Sequence, residues 1–140
     1  VTRYLLDTVT LSELRRDARR MHPGVNCWQR DVGDVWLSVV TLNELRYGMR
    51  RMKRKDPPFA AILAKWYAQI VAQPQRFRIL NVDRAIAELA ADLRANHNMP
   101  FEDSLIAATA KVYNLTLATR NTADFQDCGI ALINPWEKPA

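Results

Sequence analysis

The sequence predicts an α/β protein with a short parallel β-sheet flanked by helices. Three observations carry this. Short apolar runs alternate with longer segments whose apolar residues recur at helical spacing. The runs are almost wholly apolar, as strands covered on both faces should be. The segments between them are long enough for the helical crossovers that parallel strands require.

The elements follow in order. Tyr4-Leu5-Leu6 forms the first run and stops at Asp7-Thr8. Leu11, Leu14 and Ala18 recur at helical spacing, with Arg15, Arg16, Arg19 and Arg20 beside them, until Pro23-Gly24 breaks the helix. Residues 25–30 read as a short second helix anchored by Trp28. Val35 to Val40 reads as a second strand. Thr41 is placed to cap the next helix, with Glu44 at the capping-box spacing, one turn in. That helix runs into Arg50, Arg51, Lys53, Arg54 and Lys55 and halts before Pro57-Pro58. Phe59, Ile62, Leu63, Trp66 and Ile70 mark one face of a fourth helix. Phe77 to Val82 is a third strand. Asp83 caps a helix with Ile86, Leu89, Ala90 and Leu93 inward, and Pro100 opens another carrying Leu105, Ile106, Thr109 and Val112. Leu115 to Ala118 is a fourth strand, and Ile130 to Ile133 can form a fifth before Pro135-Trp136.

Composition narrows the class. A chain of 140 residues is expected to form one domain spanning 1–140. Its 49% apolar and 25% charged residues exclude a disordered chain, a collagen-like chain and a disulfide scaffold. No apolar run approaches the ~18–20 residues that span a bilayer. Charges within Val1 to Asp7 come too early for a secretory signal. Cys27 and Cys128 form no metal-ligand spacing and read as reduced thiols of a cytoplasmic protein. The net charge of +5 points to a polyanionic or acidic partner, although a basic surface can also serve solubility alone.

Ligands of open α/β sheets bind beyond the carboxyl ends of the strands. Acids stand near those ends. Asp7 follows the first strand, and Glu44 lies in the helix after the second. Asp103 sits in the first turn of the helix that leads into the fourth strand. Asn121 and Asp124 follow that strand, one turn apart. Each acid alone also fits a helix N-terminus, where carboxylates are favoured. Together they form a constellation that folding can assemble. Clustered carboxylates raise one another's pKa or demand a cation. Oxygen donors without Cys or His favour Mg2+ or Mn2+. Such an ion in a basic protein points to phosphodiester chemistry. With the four acids set aside, eleven remain against twenty bases, a positive rim around a negative pocket. The stretch from Arg46 to Lys55 reads either as a solvated helix face or as a dock for phosphates or an acidic partner.

Other chemistries find less support. There is no phosphate-binding glycine motif and no nucleophile elbow. His22 and His97 lack a spaced acid or Cys partner and read as surface or helix-terminal residues. Trp28 and Trp66 read as core anchors.

The chain resembles the PIN-domain toxins of bacterial toxin–antitoxin operons, the VapC family, in its FitB-like branch. The resemblance rests on Leu5-Leu6-Asp7-Thr8 and on the run Leu37-Ser38-Val39-Val40-Thr41-Leu42-Asn43-Glu44-Leu45-Arg46-Tyr47-Gly48. It continues through Asp103-Ser104-Leu105-Ile106-Ala107-Ala108-Thr109-Ala110, Leu115 to Phe125 and Asn134-Pro135-Trp136. It implies a Rossmann-like PIN domain that cleaves RNA with Mg2+ or Mn2+. It also implies a homodimer neutralised by a cognate antitoxin whose C-terminal segment covers the active site. The family's first three acids carry over to Asp7, Glu44 and Asp103, and Thr8 matches the hydroxyl after the first acid.

Two positions depart from the pattern. Val9 stands where many relatives have Asn, and Asn121 stands where several carry the fourth acid, with Asp124 one turn later. The reading is a metal-dependent endoribonuclease. Asp7, Asp103 and Asp124 are expected to hold the metal, with Asn121 in support and Glu44 as base or water-mediated ligand. Arg46, Arg50 and Arg51 are expected to face RNA or the antitoxin. The alternatives are a weakly catalytic PIN module that binds RNA or an antitoxin–operator complex, and a DNA nuclease that shares the metal chemistry.

Overall fold

The computed structural model describes residues 1–139. Five parallel strands form one sheet in the order β3-β2-β1-β4-β5. They are β1 (Tyr4–Leu6), β2 (Val35–Ser38), β3 (Phe77–Leu80), β4 (Thr116–Ala118) and β5 (Leu132–Ile133). Six α-helices connect them: α1 (Thr8–Leu14), α2 (Pro23–Gln29), α3 (Val39–Lys55), α4 (Pro57–Val71), α5 (Arg84–His97) and α6 (Phe101–Val112). A 3-10 helix at Thr122–Cys128 joins β4 to β5. The expected α/β class and parallel sheet are both present.

The three inner strands, β1, β2 and β4, are covered on both faces, which accounts for their continuous apolar runs, whereas the edge strand β3 leaves Arg78 exposed. Successive residues of β1 enter opposite cores. Leu5 packs with Ile86, Leu93, Ile106 and Leu117 under α5 and α6. Leu6 packs with Leu11, Trp28, Leu37 and Ile70 under α1 to α4. Trp28 is the core anchor the sequence indicates, meeting Tyr4 edge to face at 5.2 Å. Asp56 and Asp83 cap α4 and α5 by accepting from the backbone N–H of Phe59 and Ile86.

Several boundaries differ from the sequence-based expectations. The first helix ends at Leu14 rather than continuing through Ala18. There the Asp17 carboxylate accepts from the N–H groups of Arg19 and Arg20, a local turn that competes with helix. Pro23-Gly24 begins α2 as well as ending the preceding turn, and His22 Nδ1 accepts from Gly24 N at 3.1 Å. His22 is therefore a helix cap.

The second strand ends at Ser38, and Val39 and Val40 already belong to α3. Ser38, not Thr41, is the cap: its hydroxyl accepts from Val40 N at 3.0 Å. Thr41 is buried inside the helix, and Glu44 stands in the second turn rather than the first. The third, fourth and fifth strands are each shorter than their apolar runs. Ile62 and Val112 are exposed, 55% and 44%, because α4 and α6 carry more apolar residues than their contact faces cover.

Candidate active site

The sheet order fixes where a site can form. The chain builds β2 and β3 on one side of β1, then β4 and β5 on the other. The order therefore reverses between β1 and β4, and a crevice opens beyond their carboxyl ends. Leu6 is registered against Ala118, so Asp7 and Thr119 leave the sheet side by side.

Asp7 is held by both oxygens. Oδ1 accepts from Thr10 N at 2.9 Å, which makes Asp7 the cap of α1. Oδ2 accepts from Thr119 Oγ1 at 2.6 Å. Thr119 Oγ1 accepts in turn from Asn121 N at 3.1 Å. Thr10 Oγ1 donates to Ala118 O at 2.8 Å and ties α1 to the end of β4. Each carboxylate oxygen keeps a lone-pair direction for a further partner.

Glu44 reaches the same crevice from α3. Thr8 Oγ1 donates to its Oε1 at 2.9 Å. Asp103 is half-buried in the first turn of α6, whose cap, Pro100, makes no side-chain bond. The free N–H groups of that turn favour an acid there. Asp124 lies in the first turn of the 3-10 helix after β4, exposed, and its N–H donates to Asn121 O at 3.1 Å. Val9 is exposed on α1.

The acids share one electrostatic field. The Asp103 carboxyl is pushed above the ordinary range, first by loss of water around it, then by the charges of Asp124, Asp7 and Glu102. The Glu44 carboxyl is also pushed up by desolvation. The Thr8 hydrogen bond opposes that rise, and Glu102, Asp103 and Asp7 add to it. The charges of Asp103 and Asp7 thus reach Glu44, and those of Asp124 and Asp7 reach Asp103. Among the described residues, however, no three His, Cys, Asp or Glu side chains close into a compact metal-ligand cluster. The arrangement is an open set of oxygen donors under mutual repulsion. That fits a hard divalent cation such as Mg2+, which keeps several waters beside its carboxylate oxygens.

Two hollows adjoin the acids. One, about 570 Å3, is polar and is lined by His97, Asn98, Asp124 and Asp127 among others. The other, about 330 Å3, starts at Thr8 and Glu44 and runs over Met49, Met52, Phe59, Leu63 and Trp66, with Arg15 beside it. Trp66 packs against the core on the α1 to α4 side, as the sequence indicates, and its outer edge lines this groove with Phe59 and Leu63.

The three candidate arginines part company. Arg46 lies over the Tyr67 ring of α4 at 6.0 Å, whereas Arg51 lies over Tyr47 on its own helix at 5.6 Å. Arg50 lines two shallow hollows on either side of α3.

Three contributors escape the sequence reading. Thr119 stands in the motif after β4 but carries no charge to mark it. Thr10 acts through its backbone N–H and its hydroxyl. Glu102, beside Asp103, looks like one more acid at a helix start.

A Rossmann-like sheet with acids gathered at the β1/β4 switch defines a recognisable class. The PIN domain family model matches residues 4–129, and the chain belongs to that family. Its relatives narrow the placement within it. The chain is 33% identical to toxin FitB of Neisseria gonorrhoeae over 142 residues, covering 94% of this chain and 97% of that protein. It is 30% identical to a VapC ribonuclease of Sinorhizobium fredii, covering 95% and 97%. The crystal structure of FitAcB from N. gonorrhoeae superposes with a TM-score of 0.81 at 33% identity, covering 96% of this chain and 99% of that one. A toxin–antitoxin complex from Klebsiella pneumoniae superposes with a TM-score of 0.68 at 25% identity, covering 94% and 97%.

Proposed function

We propose that this protein is the endoribonuclease toxin of a toxin–antitoxin pair, acting as a single PIN unit over residues 1–140. The observation that carries the reading is the meeting of Asp7, Glu44 and Asp103 at the β1/β4 switch, with Asp103 and Glu44 both pushed toward protonation, first by desolvation and then by neighbouring acids. The family membership and the relatives named ribonuclease and toxin support it.

Asp7, Asp103 and Asp124 would hold Mg2+ or Mn2+, with Asn121 offering a neutral oxygen. When bound, the cation supplies charge to offset the phosphate and acidify a nearby water. The chain's own groups do the rest. Thr119 Oγ1 and Thr10 N fix the Asp7 carboxylate at both oxygens. Thr8 Oγ1 orients Glu44. The raised proton affinity of Glu44 suits it to take a proton from the attacking water. Arg46, Arg50 and Arg51 provide positive charge for the phosphate backbone, and the Asn96 and Asn98 amides of the polar hollow would meet the strand leaving the site.

The partners follow from the same placement. A toxin–antitoxin complex among the solved relatives supports a cognate antitoxin. Its C-terminal segment would lie in the apolar groove that begins at Thr8 and Glu44. We place the protein in the cytoplasm as a homodimer. None of its helices is long and apolar enough to cross a membrane among the described residues.

The test is cleavage of a total-RNA pool by antitoxin-free protein with Mg2+, with Mn2+ and with EDTA. Discrete fragments that need metal and vanish in an Asp7→Asn/Asp103→Asn control are expected. Folded protein that cuts nothing but still binds RNA would replace the nuclease with a binding module. Cleavage of DNA in preference to RNA would replace the substrate.

A further inference from the structure

From Arg46 to its end α3 carries six basic residues: Arg46, Arg50, Arg51, Lys53, Arg54 and Lys55. Among the described residues the ion pairs are Arg16–Glu13, Arg78–Asp34 and Arg84–Glu88, and none involves these six. In their midst stands Tyr47, an aromatic ring 63% exposed to solvent. Arg51 lies over that ring at 5.6 Å. Tyr47 and the basic side chains from Arg50 to Lys55 line a shallow hollow of about 540 Å3 that contains no acid.

Helix geometry joins this patch to the site. Glu44, Tyr47 and Arg51 stand at i, i+3 and i+7, which places them in one stripe on one face. At a rise of about 1.5 Å per residue, Tyr47 lies roughly 5 Å and Arg51 roughly 10 Å along α3 from Glu44. A strand whose scissile phosphate reaches Glu44 would run along this stripe.

We propose that Tyr47 and Arg51 form a stacking platform for a base of single-stranded RNA, and that the surrounding basic residues track its backbone. The proposal rests on the nuclease reading for its ligand. The charge alone would suit an acidic peptide as well as RNA. The exposed ring decides between them. A nucleic acid presents phosphate charge and flat π faces at neighbouring points, and the patch offers a partner to each. An acidic peptide matches only the first. Arg51 serves both: its guanidinium stays over the ring while its free edge meets phosphate. Arg46, drawn over Tyr67, is turned toward α4 and contributes less.

The experiment reads binding, not cleavage. The Asp103→Asn protein is titrated into a fluorescent single-stranded RNA oligonucleotide at several salt concentrations, followed by anisotropy. In that background Tyr47→Ala is expected to weaken binding about tenfold, the size of one lost base stack, whereas Tyr47→Phe keeps it. Arg51→Gln is expected to reduce the slope of log affinity against log salt by about 0.7. A 2-aminopurine placed in the oligonucleotide is expected to be quenched by Asp103→Asn protein and not by its Tyr47→Ala derivative. Unchanged affinity and quenching in Tyr47→Ala would overturn the proposal. So would a Tyr47→Ala protein that binds RNA normally but no longer dimerises or no longer holds its antitoxin, since the face would then be a protein interface. The nuclease reading fails separately. RNA bound through Tyr47 without metal-dependent cleavage by the parent protein would leave the platform standing and remove the nuclease. Normal cleavage by Tyr47→Ala with unchanged binding would do the reverse.

Discussion

Thr119 Oγ1 donates a 2.6 Å hydrogen bond to Asp7 Oδ2, joining residues 112 positions apart in the chain. The contact is a product of sheet register. Leu6 and Ala118 are paired in adjacent parallel strands, so the next residue of each strand emerges into the same crevice. Thr119 is fully buried, and its hydroxyl also receives the N–H of Asn121. One side chain therefore orients the first acid and shapes the loop that carries Asn121 and Asp124.

Replacing Thr119 by Val keeps the shape and deletes the hydroxyl. Asp7 Oδ2 then loses its donor, and Asn121 N loses its acceptor. The expected cost is about 1–3 kcal/mol of stability from the polar groups left unpaired. Mn2+ affinity and RNA cleavage should fall by roughly 10- to 100-fold, the usual effect of removing a group that orients a metal-binding side chain. Thermal unfolding and Mn2+ titration check both. Wild-type Mn2+ affinity in a folded Thr119→Val protein would remove Thr119 from the site.

The contrast between Thr119 and Asp7 shows what the sequence makes legible. Asp7 stands out because an acid interrupts an apolar run, a local signal. The strands are legible because two-sided burial leaves continuous apolar residues such as Leu5-Leu6 and Val35 to Leu37. Their ends are less so. The β-branched Val39 and Val40 look like strand, yet Ser38 supplies a cap and the helix begins with them. Asp17 likewise ends α1 by a side-chain turn that apolar periodicity does not register. Thr119 has no local signal at all, because its importance lies in a partner brought alongside by register. Glu44 is legible as an acid near a strand end, but its Thr8 contact depends on how α1 and α3 pack.

The raised pKa values set a pH dependence with a definite sign. Asp103 ionises less readily in the folded protein, because desolvation and the charges of Asp124, Asp7 and Glu102 disfavour its carboxylate. Above its ordinary value of 3.8 the folded state therefore binds more protons at this site than the unfolded chain does. Its contribution to stability falls as pH rises through the interval up to the raised pKa, and the penalty persists above it. In metal-free protein, Asp103→Asn is expected to raise Tm at neutral pH, with the gap closing as pH falls through the raised pKa toward 3.8. Saturating Mn2+ should reverse the order, since it stabilises only the protein that holds it. Scanning calorimetry from pH 3 to 8 measures this. Equal Tm values at neutral pH without metal would show that the acids do not burden the fold.

Gly24 meets a different constraint. A Cβ there would come within 2.7 Å of Trp136 O, 2.8 Å of Pro135 O and 2.9 Å of Lys138 O. All three are backbone atoms and cannot swing aside. Gly24→Ala is expected to cost about 1–3 kcal/mol by prising α2 from the C-terminal turn. Gly48, inside α3, has nothing within 4 Å of the same position. Gly48→Ala should therefore stabilise the protein by about 0.5–1 kcal/mol through helix propensity. Urea unfolding of the two variants beside the parent gives both signs at once. Similar midpoints for the pair would refute the close-packing account.

We propose that Asp124 and Asn121 divide between them the task that a single fourth acid performs in the pattern this sequence resembles. Among the charges that raise the Asp103 pKa, that of Asp124 is the largest. Asn121 is tied through its N–H to Thr119 and through its carbonyl to Asp124 N. Asp124→Asn should lower Mn2+ affinity and cleavage roughly tenfold or more. It should also bring the Asp103 pKa back toward the ordinary range, which NMR titration of the carboxyl carbon would follow. Adding Asn121→Asp to that variant moves the charge one turn back along the chain. If the site needs only a third negative charge on this side of the crevice, the double variant recovers much of the metal affinity. If Asp124 acts from its own position, the double variant stays weak, and the displaced acid is the feature that distinguishes this site.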